Sequence, residues 1–292
     1  MAVYDKLGDR MKDYEARNQY FLQRRTPVAI RVDMKSGHSF TKGFQRPFDE
    51  IFIKSMQQTA KFMCENIQGA ILSFQQSDEI TIILQDYKNL NTHAWFNYRT
   101  DKMCSIAASI ATMAFNKFFA DEIWNEDSSW KCSMTPQSVE IQQEHQEYMT
   151  RLRAAATKGA MFDARVFNIP KEEVANLIYW RQLDATRNSI QMVGQTYFSH
   201  KELQGKSCNQ IQDMLHEQKG INWNDYPTHL KRGSCCIRMP VSEENVTETI
   251  ENVWGVSHLV EKTIRHYTWK IDTEIPIFKG DDREYIEKWI WM

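Results

Sequence analysis

The sequence predicts an α+β protein with a mostly antiparallel sheet covered by helices. Short β-branched runs alternate with longer segments that carry apolar residues at helical spacing. Four predicted strands and two predicted helices occur in the order β-α-β-β-α-β. This is the order of the split β-α-β, or ferredoxin-like, arrangement, with both helices on one face of the sheet.

Each predicted element has a local signal. The first strand is β-branched and follows Pro27, and the helix after it has Pro47 and Asp49 near its start, where proline and acidic residues are favoured. The next two strands flank a polar turn, and the second helix carries a stripe that includes Ile106 and Ile110. In chain order, the predictions are a strand at 28–33, a helix at 47–63, strands at 69–74 and 80–84, a helix at 91–122 and a strand at 162–167.

We expect one structural unit made of two segments. Residues 1–200 contain the strand and helix core, with an acidic, glutamine-rich insertion near 123–160 that we expect to be loop plus helix. Residues 201–292 are expected to form an extension packed on this core. This extension has a predicted helix at 208–218, a predicted strand at 233–239 and a polar tail that ends in a tryptophan-rich helix.

The composition is that of a globular chain, with 42% hydrophobic and 25% charged residues. The formal net charge of −2 means that any nucleic-acid contact would depend on a local basic surface. We find neither a signal core at the N-terminus nor an apolar run of about 18–20 residues, so we expect a cytoplasmic protein. The six cysteines form no C-x-x-C pair and are expected to be reduced structural residues.

Two aspartates lie where predicted strands end. Asp33 ends the first strand, and Asp78 lies in the turn between the second and third strands. The first and third strands of a split β-α-β sheet are neighbours, so we expect these carboxylates to lie close together. Two close carboxylates repel unless a cation lies between them, and magnesium prefers oxygen ligands. On spacing alone, a metal site is one interpretation and ordinary loop and turn roles for the two aspartates are the other.

Two further features fit phosphate binding. The loop 34–43 contains glycines and hydrogen-bond donors, although it lacks the Walker pattern. Arg99 and Lys102 are three residues apart on the second predicted helix and therefore share a face that suits a triphosphate. For this pair, an ordinary solvated helix end is the alternative interpretation.

The sequence resembles a known family over nearly its whole length. The strings that carry the resemblance occur in the family's order. They are Arg31-Val32-Asp33, His38-Ser39-Phe40-Thr41, Arg46-Pro47-Phe48-Asp49, Gln76-Ser77-Asp78-Glu79, Arg99 with Lys102 and Ser105, Phe162-Asp163-Ala164-Arg165-Val166, and Trp180-Arg181-Gln182-Leu183-Asp184. The family is that of the tRNA-His guanylyltransferases, and the chain looks most like its guanylyltransferase-like branch, the reverse-direction (3′-to-5′) polymerases.

The resemblance implies a polymerase-type palm that adds GTP and other NTPs to the 5′ end of tRNA with two magnesium ions. It implies that Asp33, Asp78 and the carbonyl of Met34 hold the metal, with Asp33 and Asp78 as the catalytic residues. The implied nucleotide-binding residues are Asp33, Met34, Lys35, Ser36, Gly37, His38, Ser77 and Asp78, with Arg99 and Lys102 on the triphosphate, and with Arg46 and Asp49 at a site of 5′-end activation by ATP or GTP.

The chain departs from the family pattern at three places. Met34 replaces the usual glycine after the first aspartate, and Gly37 replaces a common aromatic residue. Thr186-Arg187-Asn188-Ser189 replaces the His-Ile-Asn-Asn motif that is associated with selection of tRNA-His. The third departure favours template-dependent repair of tRNA 5′ ends, with dedicated addition of guanosine to tRNA-His as the alternative.

Other classes of protein also use palm-like folds. A nucleotide cyclase needs the two acids but no RNA groove, and a non-catalytic RNA-binding module needs neither acid. For RNA contact, the candidate residues are Arg165, Arg187, Asn188, Lys231 and Arg232, each of which could equally be solvated surface. The resemblance also implies assembly as a homotetramer.

Overall fold

The computed structural model describes residues 6–132, 138–251 and 257–291. Six strands and ten α-helices are described, and the predicted strands and helices occur among them in the predicted order. The strands are β1 Val28–Met34, β2 Ala70–Gln76, β3 Glu79–Leu84, β4 Phe162–Asn168, β5 Ser234–Glu251 and β6 Ser257–Asp272. The helices are α1 Lys6–Ala16, α2 Gly37–Phe40, α3 Glu50–Asn66, α4 Thr100–Cys132, α5 Val139–Lys158, α6 Val174–Tyr197, α7 His200–Leu203, α8 Cys208–Lys219, α9 Thr228–Arg232 and α10 Glu284–Trp291.

The strands form one six-stranded sheet in the order β4-β1-β3-β2-β5-β6, with antiparallel neighbours throughout. The first four strands of this order confirm the predicted split β-α-β arrangement. Alternate residues of β1 point to opposite faces, as the two-residue period requires. Val28 and Ile30 contact the layer formed by α3 and α4, whereas Ala29 contacts the layer formed by α6 and α10.

Helix α4 begins at Thr100 and ends at Cys132, so it lies about ten residues later than predicted and extends through the first part of the expected insertion. By length and composition alone it could cross a membrane, although polar residues interrupt its apolar stretch and no continuous apolar run of about 18–20 residues occurs in it. Its buried residues form one face and belong to the core under the sheet: Met103, Ala107, Ala111, Ala114, Phe115, Phe119 and Ile123.

Two further local predictions were wrong, those for Pro47 and for the polar tail. Pro47 does not begin a helix, since α3 begins three residues later, with Asp49 as its N-cap. The second half of the insertion forms a helix as expected, α5, which packs on α4 as the second arm of a helical hairpin. The predicted polar tail contains β6, which pairs with β5 along its whole length. All six cysteines are free, as expected.

The C-terminal segment joins the core through the sheet and through α6. Strand β5 pairs with β2 from Ser234 to Ile237, so one sheet runs through both segments. A small apolar cluster around Trp223 connects α8 and α6, and the indole of Trp223 donates a hydrogen bond to Ser189 at 3.0 Å. This cluster fixes α6 relative to the turn that precedes β5.

Gly233, between α9 and β5, allows this close approach. Its φ of +85° and ψ of −174° lie in a region that only glycine adopts easily. A Cβ atom there would lie 2.6 Å from the carbonyl oxygen of Gln75 and 2.8 Å from the ring of Phe74. We therefore expect Gly233→Ala to lower the free energy of unfolding by about 2–3 kcal/mol, measured by chemical denaturation. A loss below about 0.5 kcal/mol would contradict this packing.

Candidate active site

The two predicted carboxylates lie beside each other at one end of the central strands. Asp33 is the penultimate residue of β1 and pairs in register with Glu79 of β3. Asp78 is the second residue of the two-residue turn before β3, and its carbonyl accepts a hydrogen bond from the amide of Met34 at 3.1 Å. Ser77 adopts a φ of +48°, in the left-handed region that such short turns use.

Burial disfavours the charged forms of both aspartates, a cost that a bound cation would offset. Burial raises the pKa of Asp33, and the nearby carboxylates of Asp78 and Asp163 raise it further. Burial also raises the pKa of Asp78. No group of three or more metal-binding side chains occurs in the described part of the chain. Two carboxylates with space for water and phosphate oxygens fit magnesium, which usually takes only one or two protein carboxylates.

The loop after Asp33 carries basic side chains without anionic partners. Ser36 takes a φ of +58°, and the chain then forms the single turn of α2. Met34 lies inside β1 with a buried side chain and a φ outside the left-handed region, so methionine replaces glycine there without backbone strain. Four basic residues of the loop are exposed and form no ion pair among the described residues: Lys35, His38, Lys42 and Arg46.

Gly37 lies directly against Asp78. A Cβ atom on Gly37 would be 1.9 Å from Oδ2 of Asp78 and 2.9 Å from its Cγ. The backbone of Gly37 is helical, so a side chain there would displace the carboxylate and leave the loop backbone intact. Because glycine has no side chain, the carboxylate of Asp78 can occupy the space beside residue 37.

We expect Gly37→Ala to reduce kcat/KM for the reaction at this site about 10–100-fold, the usual size of effect when the immediate support of a site residue is disturbed. The temperature of unfolding is expected to stay within a few degrees of the parent protein. Ser39→Ala is the matched control, because Ser39 is exposed on the same turn. Full activity of Gly37→Ala would mean that Asp78 acts equally well from another rotamer.

A cavity of about 310 Å³ adjoins Asp78. It lies between the loop after Asp33, the turn before β3, α6 and α9, and its volume is in the range of small-molecule sites. Seven of the predicted site residues line it: Gly37, His38, Arg46, Asp49, Ser77, Asp78 and Asn188. Met192, Gln195 and His229 also line the cavity.

A family model described as tRNA(His) guanylyltransferase matches residues 8–170. The chain belongs to the tRNA-His guanylyltransferase family. It is therefore a nucleotidyltransferase, and the fold and the predicted resemblance agree with this assignment.

Two solved structures cover nearly the whole chain, and a curated relative covers most of it. A bacterial tRNA(His) guanylyltransferase-like protein in complex with ATP is 34% identical with a TM-score of 0.74, over 98% of this chain and 100% of that one. A second, in complex with GTP, is 32% identical with a TM-score of 0.70, over 99% and 100% of the two chains. The tRNA(His) guanylyltransferase of Saccharomyces cerevisiae is 27% identical over 72% of this chain and 82% of its own length.

The carboxylate of Asp49 forms hydrogen bonds within the protein. One carboxylate oxygen accepts from the amide of Phe52 at 2.9 Å. The other accepts from the amide of Gln45 at 3.0 Å and from the hydroxyl of Tyr148 at 2.9 Å. Through these contacts Asp49 positions the loop that carries Arg46, at the edge of the cavity that it lines.

Arg99 and Lys102 lie at the other end of β1 from Asp33. Tyr98 pairs with Leu22, and Gln23 pairs with Asn168, which is opposite Val28 at the start of β1. Arg99 forms an ion pair with Asp101 at 3.1 Å, and the ammonium of Lys102 lies 4.8 Å from the ring centre of Phe96. Within one chain, the structure does not bring these two residues to the cavity, contrary to the convergence expected from the sequence.

The five predicted RNA contacts differ in exposure. Arg165 and Arg187 are exposed, and each forms an ion pair with an aspartate of its own element. Arg232 is half-buried, and Asn188 faces the cavity. Lys231 is buried, and its ammonium donates a hydrogen bond to the carbonyl of Asn224 at 2.5 Å. Lys231 is therefore not exposed for contact with RNA, contrary to the prediction.

A buried ion pair beneath the site was not predicted. Arg181 of α6 contacts Glu79 with Nε and Oε1 2.7 Å apart, and it contacts Asp184 at the same distance. Arg31 approaches Glu79 from the other side at 3.9 Å. Burial raises the pKa of Glu79, and Arg181 and Arg31 oppose that shift. The pair ties α6 to the residue that follows Asp78.

Proposed function

We propose that the protein adds nucleotides to the 5′ end of tRNA in the 3′-to-5′ direction, as template-dependent repair of truncated 5′ ends. The observation that carries the proposal is the meeting of Asp33 and Asp78 beside a nucleotide-sized cavity. The bacterial relatives with bound ATP and GTP support the same substrate class.

The proposed reaction has two phosphoryl transfers. In the first, the 5′-monophosphate of the RNA attacks the α-phosphorus of ATP or GTP, forms a phosphoanhydride and releases pyrophosphate. In the second, the 3′-hydroxyl of an incoming NTP attacks the activated 5′-phosphorus, forms a phosphodiester, releases AMP or GMP and loses its proton to solvent. An RNA that already carries a 5′-triphosphate needs only the second transfer and releases pyrophosphate.

The residues of the site fit these steps. Asp33, Asp78 and the carbonyl of Met34 would hold two magnesium ions. When bound, magnesium would lower the pKa of the attacking hydroxyl and offset the charge of the leaving phosphates. The unpaired basic residues Lys35, His38 and Arg46 would orient the phosphates and offset their charge in the transition state. Arg99 and Lys102 would contribute only from outside this cavity.

A primer-extension assay tests the proposal. The substrates are tRNAs that lack their first nucleotide, each with a different base opposite the gap and with either a 5′-monophosphate or a 5′-triphosphate. We expect the added nucleotide to follow the opposing base in every tRNA. Addition of guanosine to tRNA-His alone, whatever the opposing base, would support the alternative of dedicated tRNA-His guanylylation.

One observation favours repair over the dedicated activity. The stretch 186–189 offers no histidine: the hydroxyl of Thr186 donates to the carbonyl of Gln182, and Arg187 pairs with Asp184. A non-catalytic RNA-binding module would show no addition in any of these assays. We place the activity in the cytoplasm and expect a homo-oligomer, a tetramer, which light scattering coupled to gel filtration tests.

A further inference from the structure

The cavity has two chemically different ends. The end near Asp78 is bordered by the basic loop that carries His38 and Arg46. The opposite wall, formed by α6 and α9, carries the amides of Asn188 and Gln195 and no acidic or strongly basic lining residue. A nucleotide has the same division, with charged phosphates at one end and a neutral base at the other.

The residues of α6 on this wall form one stripe. Asn188, Met192 and Gln195 are spaced four and three residues apart, which places them on one helix face. Within the described chain, the amides of Asn188 and Gln195 make no side-chain hydrogen bond, although both have two donors and an acceptor. Ser189 differs, because it already accepts the hydrogen bond from Trp223.

His229 of α9 adds a third unengaged group to the same wall. Its Nδ1 is buried and has no hydrogen-bond partner among the described residues. Burial lowers the pKa of His229, with Glu50 and Glu274 opposing the shift, so the imidazole is neutral at pH 7. A neutral imidazole offers one donor and one acceptor.

We propose that Asn188, Gln195 and His229 read the base of the nucleotide bound in this cavity, and that they favour adenine over guanine. Asparagine and glutamine amides match the N6 donor and N7 acceptor of adenine. The N1 and N2 donors of guanine are best matched by a carboxylate acceptor, and the wall formed by α6 and α9 contributes no acidic lining residue. The inference rests on the proposed function, because it takes the cavity to be a nucleotide site.

The test is the affinity for two non-cleavable nucleotides, α,β-methylene-ATP and α,β-methylene-GTP, measured by calorimetry with magnesium. We expect the parent protein to prefer the adenine compound. Gln195→Glu introduces a carboxylate of the same size and is expected to shift the ratio of the two affinities about tenfold toward guanine. Gln191→Glu is the matched control, since Gln191 is exposed on the same helix but does not line the cavity.

Asn188→Leu supplies a second arm, with an expected loss of adenine preference. The proposal is overturned if both nucleotides bind and neither Gln195→Glu nor Asn188→Leu changes their ratio relative to Gln191→Glu. Because this measurement requires no turnover, it can be separated from the test of the proposed function. A protein that binds nucleotides selectively but extends no tRNA would overturn the repair activity and would still support base recognition by Asn188, Gln195 and His229.

Discussion

Replacement of Asp78 by asparagine is expected to abolish nucleotide addition while it stabilises the metal-free protein. Loss of one of two carboxylates removes several kcal/mol of transition-state stabilisation, which corresponds to about 10³-fold in rate. The stability gain arises because asparagine has nearly the same shape but no charge to bury beside Asp33. The measurements are single-turnover addition to 5′-triphosphate RNA, which bypasses activation, and thermal unfolding in EDTA.

The pH dependence of stability provides a second readout of the same pair. The pKa values of Asp33 and Asp78 are raised in the folded protein, so the folded state binds protons more tightly than the unfolded chain. Metal-free protein is therefore expected to lose stability as the pH rises from the unfolded-state pKa of aspartate through the raised folded-state values. Asp78→Asn should flatten this dependence, whereas Asp213→Asn, at an exposed site on α8, should leave it unchanged. An active Asp78→Asn enzyme would contradict the two-carboxylate assignment.

Arg181→Leu is expected to lower the free energy of unfolding by about 3–5 kcal/mol, the usual result of removing one partner of a buried ion pair. The side chains of Arg181 and Glu79 are only 8% and 10% exposed, and leucine would leave the carboxylate of Glu79 buried with Arg31 3.9 Å away as its remaining partner. Denaturation in urea, followed by circular dichroism, measures the loss.

The control for this prediction is Arg187→Leu. Arg187 pairs with the same aspartate, Asp184, but its side chain is 60% exposed, so we expect a change within about 0.5 kcal/mol. The double variant Glu79→Gln with Arg181→Met should recover much of the loss, because it removes both buried charges. Equal losses for Arg181→Leu and Arg187→Leu would show that burial of the pair is not what stabilises α6.

The core of the fold could be predicted because its signals are local. The β-branched run at Val28 and the turn at Ser77 identify neighbouring strands, and a known topology then brings Asp33 and Asp78 together. Strand β6 was not predicted because 240–251 and 257–272 are rich in polar and charged residues and lack the apolar alternation that signals a half-buried strand. Strand β6 pairs with the strand that precedes it in the chain, and the polar composition of both strands gives no sequence signal for this pairing.

Side-chain roles were harder to predict than strands. The sequence predicts Lys231 as an RNA contact, yet its ammonium is buried against the carbonyl of Asn224. It assigns no role to Arg181, which forms a buried ion pair with Glu79. Asp49, predicted to bind a nucleotide, lines the cavity and also accepts hydrogen bonds from Phe52 and Tyr148. Contacts such as Arg181 with Glu79 and Tyr148 with Asp49 join residues far apart in the sequence, and a local motif carries no information about such a partner.

Helix α6 is continuous over 24 residues and includes Arg181, Asn188 and Gln195. Arg181 anchors this helix to Glu79, the residue after Asp78, while Asn188 and Gln195 follow at intervals of seven residues, about 10 Å each at the helical rise. Because the helix is continuous, its length sets the distance between these two cavity-lining amides and the turn that holds Asp78.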